Sequence, residues 1–493
     1  MLDKLTRKIG VSPQFLLKGR DDLSRYRGDT MYVGNPDAVL RARDIKDIAD
    51  ILAFCFSEKI PVTFCGSQTS MTGASAADEG LLISCEKMDA LISIDQVSDH
   101  EAYAICQPGI IVGDLKRKVL EHGWFFPPAP TSQDSARLGA TISTNATGED
   151  SYKYGSTRPY VSELKVLLSH GKKKIFIRHP DQPLRDELNR AGYWSNNANP
   201  IDQLIGSEGT LGFIYESRVR LIRNPGDFFS LMIPFPTQED ALKFIVTVTT
   251  EKKLRPRALE YIDATAMAFM KTHETFPHSL SESRALVYLK QEFQSQADYI
   301  KKLNACLEAL TLYISERQIQ DIAVADTNLK KEAMRLWRHQ IPVKINEEYR
   351  HYWQQGGGKV GSDWWVPMDR LLEMMDYVYE TGRQSGIPFL AFAHLGQGHP
   401  HVNYLCKTPE EKQKAELLLL DCCRKAVSLG GGVAGEHGIG KIHRDYLPIQ
   451  WGASQIQKMR AMKSEYDPNW ILGRGNIFDP GDASPFKPGA QRR

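Results

Sequence analysis

A glycine-bracketed loop directly after a predicted strand constrains the fold of this chain more than any other single feature. The strand-like run PVTF leads into CGSQTSMTG at 65–73, where hydroxyl side chains stand between Gly66 and Gly73. Because glycine has no Cβ, such a loop can bring backbone N–H groups close to a phosphate. The segment has neither a Gly-Lys-Ser/Thr triplet nor a G-x-G-x-x-G pattern, which argues against a P-loop and a Rossmann site. Taken alone, a simple turn explains it equally well.

Two further glycine-containing segments favour a cofactor-binding loop over a simple turn. They are PTSQDSARLGATISTNATG at 130–148, followed by KYGSTRPYV at 153–161, and LIGSEGTLGFIYESRVRL at 204–221. In order and spacing, the three segments resemble the FAD-binding half of the vanillyl-alcohol oxidase superfamily. The resemblance implies an α+β fold with two domains, a PCMH-type FAD-binding domain and a C-terminal α+β substrate (cap) domain.

The same resemblance assigns residues to the flavin. In that superfamily the first loop grips the diphosphate, and the later segments line the isoalloxazine and ribityl portions. The residues assigned to the diphosphate are Gly66, Ser67, Thr69, Ser70 and Gly73, and those assigned to the rest of FAD are Pro130, Thr131, Gly139, Ala140, Ser143, Asn145, Gly148, Gly206, Glu208, Gly209 and Ile214.

The sequence departs from the superfamily pattern at ISTNATG. A glycine that commonly precedes the Ser/Ala-Thr-Asn stretch is missing, and Thr147 stands where a glycine is usual. The larger side chains could tighten the flavin pocket or alter oxygen access, but they remove no group needed for binding. No histidine or cysteine falls in the loops where covalent members attach flavin, so we expect FAD to be held non-covalently.

Histidine and glutamate cluster in the C-terminal part of the chain. AFAHLGQGHPHVNY at 391–404 places three histidines within eight residues, and GGGVAGEHGIGK at 430–441 places Glu436 beside His437. Two imidazoles and a carboxylate are a common ligand set for a catalytic zinc or a similar divalent ion. The competing interpretation is that these histidines satisfy hydrogen bonds at a domain interface.

These segments resemble the C-terminal domain of FAD-dependent D-lactate, D-2-hydroxyglutarate and glycolate dehydrogenases. WRHQIPVKIN at 337–346, GGKVGSDWWVP at 357–367 and DPNWILGRGNIF at 467–478 match the same group. The likeness implies oxidation of a small D-2-hydroxy acid to the 2-oxo acid by hydride transfer to flavin. The roles it transfers are metal ligands for His394, His401 and Glu436, general base for His437, contacts to the substrate carboxylate for Arg338 and Lys359, and a position near the flavin for Asn476.

One residue near the metal motif departs from this group. The acidic residue expected two positions before His399 is Gln397 here. A neutral amide would weaken the support that an outer carboxylate gives to a metal-ligating histidine. The sequence therefore predicts reduced affinity for the zinc or manganese ion that the motif implies.

Chain length and turn signals set the expected domain limits. A chain of 493 residues exceeds one ordinary core, and NPGDFFSLMIPFP at 224–236 collects prolines and glycine before a helical pattern begins. We expect an N-terminal extension at 1–29, the FAD-binding domain at 30–225, the substrate domain at 226–480, with its last part packing back on the FAD domain, and a tail at 481–493.

Hydrophobic periodicity predicts the local structure that carries these motifs. Apolar residues recur at helical spacing in 43–60 and in IVGDLKRKVLEHG, which ends at Gly123. Short apolar runs between 81 and 106 predict strands. Further amphipathic helices are predicted at 295–320, 369–386 and 410–429, with strands in SRALVYLKQEF and PFLAFAHLG.

Composition excludes several classes of function. The 62 basic and 60 acidic residues give a net charge of +2, with no long basic run that would follow nucleic acid. No stretch approaches the roughly 18 apolar residues of a membrane span. Eight cysteines without a Cys-x-x-Cys pair argue against a zinc knuckle or an iron–sulfur cluster. We expect a cytoplasmic protein, with peripheral contact at the inner face of the membrane as an open alternative.

The expected partners are a small 2-hydroxy acid and an electron acceptor, which is a quinone, a cytochrome or an electron-transfer flavoprotein. A homodimer is left open. Two other functions compete with the dehydrogenase. One is a flavin oxidase or an enzyme like alkyl-glycerone-phosphate synthase on the same fold, since architecture does not fix chemistry. The other is a non-catalytic FAD-binding subunit, which would be expected to lose the His, Glu and Arg residues that this chain retains.

We predict that the purified protein is yellow and that heat or acid releases its FAD into the supernatant. Flavin colour retained in the washed pellet would contradict non-covalent binding.

Replacing Gly66 or Gly209 with valine should abolish flavin retention, because a Cβ would block the backbone from the cofactor. Flavin content measured by absorbance after gel filtration checks this, and full retention by both variants would refute the loop assignment.

Overall fold

The computed structural model describes residues 15–179, 188–193, 199–251 and 253–478. Residues 1–14 of the expected N-terminal extension and the expected tail at 481–493 lie outside the described residues. Within the described ranges, no helix combines the length and the apolar character that crossing a bilayer requires.

Strands and helices alternate irregularly along the chain, as expected for an α+β protein. The strands are β1 (Leu16–Leu17), β2 (Ala38–Arg41), β3 (Val62–Cys65), β4 (Leu81–Ser84), β5 (Leu91–Gln96), β6 (Glu101–Cys106), β7 (Trp124–Phe125), β8 (Val161–Leu167), β9 (Lys173–Ile177), β10 (Phe213–Arg223), β11 (Asp227–Phe235), β12 (Ala258–Asp263), β13 (Ala285–Phe293), β14 (Ala323–Ala325), β15 (Gly358–Gly361), β16 (Phe389–Ala393) and β17 (His401–Cys406). The α-helices are α1 (Arg20–Ser24), α2 (Ile45–Ser57), α3 (Val112–Glu121), α4 (Leu138–Ser143), α5 (Ser151–Tyr154), α6 (Ile201–Leu204), α7 (Gln238–Glu251), α8 (Ala264–Met270), α9 (Gln296–Leu310), α10 (Glu316–Gln320), α11 (Asn328–Gln354), α12 (Leu371–Ser385), α13 (Pro409–Ser428), α14 (Leu447–Gln450) and α15 (Ala453–Tyr466).

The chain divides into two compact units. The first takes in the described residues up to Gly148, those between Ser156 and Asn224, and those from Glu436 onward. The second comprises Glu149–Gly155 and Pro225–Gly435.

A small, mainly parallel sheet carries the first predicted loop. In the first unit the strand order is β1-β2-β4-β3, with β2, β4 and β3 parallel. Helix α2 begins where the Asp44 carboxylate accepts a hydrogen bond from the N–H of Lys46. Its buried stripe of Ile48, Ile51 and Leu52 packs into a core that also contains Leu472 from the end of the chain. The predicted α2 and β3 are confirmed, and β3 ends at the start of the loop.

The second sheet of this unit is antiparallel, in the order β5-β6-β10-β8-β9, with β7 paired to β10. The predicted strands between 81 and 106 and the helix that ends before Gly123 are confirmed. Gly123 has a φ of 76°, the left-handed conformation that commonly closes a helix.

The second unit is built on one seven-stranded antiparallel sheet, in the order β14-β11-β13-β12-β16-β17-β15. The amphipathic segments predicted at 295–320, 369–386 and 410–429 form helices, the first of them as two helices, α9 and α10. The α+β fold class is therefore confirmed.

The longest helix, α11, was not predicted from the sequence. It buries Met334, Trp337, Ile341 and Ile345 on one side although Pro342 lies inside it. Proline lacks the N–H that would bond one turn back, so it usually signals a helix end. Here burial of the apolar stripe outweighs that local cost.

The short segment Glu149–Gly155 belongs to the second unit although it lies within the glycine-rich sequence region. Asp150 explains this, because its carboxylate binds Arg257 at 2.6 Å and Lys290 at 3.0 Å. All three residues are buried. Removing one partner from such a group strands a buried charge, so the segment is firmly attached to the sheet of this unit.

We predict that Asp202→Ala destabilises the first unit by about 3–5 kcal/mol, the usual cost of stranding a buried charge. Asp202 accepts from Arg158 and Arg178, each at 2.8 Å, and Arg158 is only 1% exposed. Urea unfolding measures the change. As a control, Asp134→Ala should alter stability by less than about 0.5 kcal/mol, because that carboxylate is exposed. Equal effects of the two substitutions would contradict this account.

Candidate functional site

Helix α4 brings the three predicted flavin segments together in the first unit. A Cβ placed on Gly66 would lie 3.0 Å from Cβ of Ala140, so the first loop packs against this helix. The N–H groups of Gly206 and Glu208 donate to carbonyl groups of the same helix at 3.1 and 2.8 Å. The segments are far apart in sequence, yet they form one cluster.

The first loop is held by an aspartate that the sequence analysis did not single out. The N–H of Gly73, which has a φ of 76°, donates to the carboxylate of Asp29 at 2.7 Å. A Cβ at Gly73 would lie 2.8 Å from the Tyr32 ring, so a larger residue would not fit. Burial raises the pKa of Asp29, although backbone N–H groups partly oppose the change. The side chains of Ser67 and Thr69 are exposed and free to meet a phosphate.

Two buried amide side chains beside these segments have unused hydrogen-bonding capacity. Asn145 accepts from the N–H of Arg158 at 2.9 Å, but its Nδ2 has no partner among the described residues. Asn476 donates to the carbonyl of Ala74 at 2.8 Å, while its buried Oδ1 is likewise unpartnered in the described part of the chain. Buried polar atoms normally find partners. These two atoms therefore fit a site that holds a polar cofactor such as FAD.

The remaining residues of the predicted flavin set share this unit. They are Ser70, Pro130, Thr131, Gly139, Ser143, Gly148, Gly209 and Ile214.

The carboxylate of Glu208 binds backbone of the same unit. Its two oxygens accept hydrogen bonds from the N–H groups of Ile439 and Gly440 at 2.8 and 2.7 Å. Glu208 has a φ of 55°, which is uncommon for a residue with a side chain. This contact fixes the segment that carries the half-buried His437.

In the second unit, two of the predicted metal ligands lie on neighbouring strands. His394 directly follows β16 and His401 begins β17, and these strands are paired antiparallel. Their ring centroids are 5.4 Å apart, and His394 is 7% exposed. Ala393 has a φ of 74°, a strained conformation of the kind that clusters at functional sites. The structure thus brings together two imidazoles that lie seven positions apart in the sequence.

A buried glutamate on β12 lies behind His394. Oε1 of Glu260 is 3.2 Å from Nδ1 of His394, within ion-pair distance but off the direction of an ideal hydrogen bond. The other oxygen of Glu260 binds Arg338. Burial works to raise the pKa of Glu260, but Arg338 and His394 outweigh it and lower the pKa.

Gly435, which directly precedes Glu436 in the sequence, packs against His399. The N–H of Gly435 donates to the carbonyl of Asp363 at 2.6 Å, and a Cβ on Gly435 would lie 2.6 Å from the His399 ring. The His399 ring is 5.0 Å from that of His401. Glu436 follows Gly435 directly in the sequence and begins the last segment of the first unit. Within the second unit, His394 and His401 could each offer one imidazole nitrogen to a metal ion.

The two predicted substrate-binding cations differ in their surroundings. Arg338 donates to Glu149 at 2.9 Å and to Glu260, so both of its terminal nitrogens are occupied. Lys359 lies on β15, and its side-chain ammonium group has no ion pair or hydrogen bond to any residue that the structure describes. Burial lowers the pKa of Lys359. An anion bound beside this buried amine would stabilise its charged form.

Four residues that support the site were missed by sequence reasoning, namely Asp29, Glu149, Glu260 and Lys290. A signal for one was present, because Glu260 is a single acid within the apolar strand ALEYID. A charge buried in a strand needs a partner. The sequence does not reveal which partner, because Arg338 and His394 are distant along the chain.

The loops and the sheet architecture define the class of this protein, an FAD-dependent oxidoreductase with a PCMH-type FAD-binding domain. Residues 36–174 match the family described as FAD binding domain, and residues 226–477 match FAD linked oxidases, C-terminal domain. The chain belongs to the FAD-linked oxidases.

Relatives of known name span nearly the whole chain. The chain is 27% identical to glycolate oxidase subunit GlcD of Bacillus subtilis, covering 92% of this chain and 91% of the relative. It is 29% identical to a D-lactate dehydrogenase of Archaeoglobus fulgidus, covering 89% and 90%. The solved structure of 4-ethylphenol oxidase from Gulosibacter chungangensis superposes with a TM-score of 0.71 at 15% identity, covering 97% and 96%. This last likeness shows the fold.

We predict that Lys359→Met increases the free energy of unfolding at neutral pH. The folded-state pKa of Lys359 lies below its ordinary value of 10.5. The unfolded chain therefore binds more protons between the two pKa values, and wild-type stability rises with pH across that window. The advantage of methionine should be largest at pH 7 and shrink as the pH approaches 10.5. Urea unfolding at both pH values checks this against the exposed control Lys301→Met, and a pH-independent difference would contradict it.

Proposed function

We propose that the protein oxidises a small D-2-hydroxy acid, similar to D-lactate, to the 2-oxo acid. The observation that carries this proposal is the pair of imidazoles of His394 and His401, with a buried carboxylate behind the first. A hydroxy acid offers a hydroxyl and a carboxylate oxygen that can bind one ion together. The two named relatives, a glycolate oxidase subunit and a D-lactate dehydrogenase, support the same class of substrate.

The residues of this chain divide the work of the reaction. His437 accepts the hydroxyl proton as general base, and Lys359 binds the substrate carboxylate. Arg338 is the second proposed carboxylate ligand, and it would have to exchange Glu149 or Glu260 for the substrate. When bound, FAD supplies the acceptor for the hydride of the carbinol carbon, and a zinc or manganese ion held by His394, His401 and Glu436 supplies charge that lowers the hydroxyl pKa.

The most direct test of substrate class is a screen of D- and L-2-hydroxy acids on the purified holoenzyme. An artificial dye reports turnover, and anaerobic bleaching of the flavin reports reduction without an acceptor. We expect D-lactate or a similar D-acid to bleach the flavin, and its L-enantiomer to do so much more slowly. Bleaching by phenols but by no hydroxy acid would favour the oxidase alternative instead.

We predict that His437→Ala keeps its flavin and its metal but reduces the rate of flavin reduction by roughly 10²–10⁴-fold, the usual contribution of a general base. Stopped-flow absorbance under anaerobic conditions measures the rate. His443→Ala, six residues later on the same segment, is the matched control and should stay near the wild-type rate. Equal rates for His437→Ala and wild type would exclude His437 as the base.

We predict that Lys359→Met raises KM for the hydroxy acid at least about tenfold, which corresponds to about 1.4 kcal/mol of lost binding. Arg338→Lys should also raise KM, because a point charge does not replace the bidentate guanidinium. Steady-state kinetics with a dye acceptor separate KM from kcat. Unchanged KM in both variants would show that neither cation binds the carboxylate.

A further inference from the structure

Glu260 lies at the centre of a buried array of charges in the second unit. It is 2% exposed on strand β12, whose other residues are also buried. Among the described residues, Arg338 pairs with one oxygen of its carboxylate and the imidazole of His394 lies beside the other. A buried carboxylate costs free energy unless both oxygens are used, so this placement calls for a reason.

The array fixes the direction in which Glu260 points. Lys290 binds Glu149 at 3.0 Å, and Glu149 binds Arg338 at 2.9 Å. Tyr288 adds a hydrogen bond to Glu149 at 3.0 Å, and the Arg338 guanidinium lies 4.2 Å from the centre of its ring. Arg338 is therefore held from three sides and holds Oε2 of Glu260 in turn. The free oxygen, Oε1, is left facing Nδ1 of His394.

We propose that Glu260 is a positioning residue that keeps the Nδ1–H tautomer of His394, so that the Nε2 lone pair is available to a divalent ion. A neutral imidazole has one N–H and one lone pair, and a carboxylate 3.2 Å from Nδ1 favours the proton there. Carboxylates behind metal-bound histidines fix the ring and make it a better ligand. This inference rests on the proposed function, since it needs the metal site.

The proposal also assigns a structural role to Gln397. The sequence analysis expected an acid at this position and predicted reduced metal affinity from the amide. In the structure, Nε2 of Gln397 donates to the carbonyl of Ser151 at 3.0 Å, so this side chain ties the 149–155 segment to the histidine loop. The carboxylate that supports His394 comes from β12 instead, about 130 residues earlier in the chain.

A purely structural role for Glu260 is the alternative. Arg338 needs an anion, and Glu260 could serve only as that anion. The two roles differ in what they predict, because a structural role changes stability while leaving the intrinsic affinity of the folded protein for metal unchanged.

The test uses FAD-loaded enzyme stripped of metal, titrated with zinc against a chromophoric chelator, with thermal unfolding measured in parallel. Glu260→Gln should raise the zinc Kd by roughly 10–100-fold, the usual effect of losing such a carboxylate. Glu292→Gln is the matched control, because Glu292 is also buried and ion-paired in the same sheet, to Arg257 at 3.6 Å and to Lys153, and its ion pairs in the described part of the chain include no histidine. It should lose stability and keep the wild-type Kd.

Should Glu260→Gln fail to fold, Glu260→Asp decides, because it keeps the charge and withdraws it from His394 by one methylene. Its zinc Kd should lie above that of wild type. Wild-type Kd in a folded Glu260 variant that has lost stability would overturn the positioning role and leave the proposed function standing. Wild-type enzyme that binds no zinc at all would overturn both.

Discussion

The second unit depends on the burial of charge, and the ion pair between Arg338 and Glu260 is its centre. Desolvating two such groups costs several kcal/mol each, and this cost is offset only where neighbouring groups supply opposite charge and hydrogen bonds. Glu149 completes the arrangement from one side, and burial alone would raise its pKa, but Lys290 and Arg338 hold that pKa well below its ordinary value. Because Glu149 begins the 149–155 segment, the same ion pairs that align His394 also attach this stretch of the glycine-rich region to the sheet.

The first unit meets a different physical constraint, the close approach of one backbone segment to another. Gly148 is an example, since a Cβ there would lie 1.9 Å from the carbonyl oxygen of Ala129. The buried amides of Asn145 and Asn476, each with one atom that no described residue binds, lie beside the glycine-containing loops. The first unit thus combines close backbone packing with buried polar atoms that no described residue binds, and the second unit contains buried charges and imidazoles.

Much of this architecture could be predicted from the sequence, because glycine, proline and hydrophobic period are local signals. The loop after β3, helix α2 and the histidine-bearing turn after β16 follow from such signals. What escaped prediction is non-local. The role of Glu260 depends on its contacts with Arg338 and His394, and that of Asp29 on its contact with Gly73. The spacing of residues in the sequence does not predict these contacts. Helix α11 was missed for a different reason. Pro342 locally indicates a helix end, but burial of the apolar stripe stabilises the helix through that position.

The proposed function depends on metal-assisted oxidation of a D-2-hydroxy acid. It is tested most directly by the rate of anaerobic flavin reduction by D-lactate in FAD-loaded enzyme stripped of divalent ions, measured before and after one equivalent of zinc or manganese is restored. We expect slow bleaching in the stripped enzyme, with FAD still bound, and recovery of the rate when the ion returns. Full-rate bleaching in rigorously metal-free enzyme would contradict it.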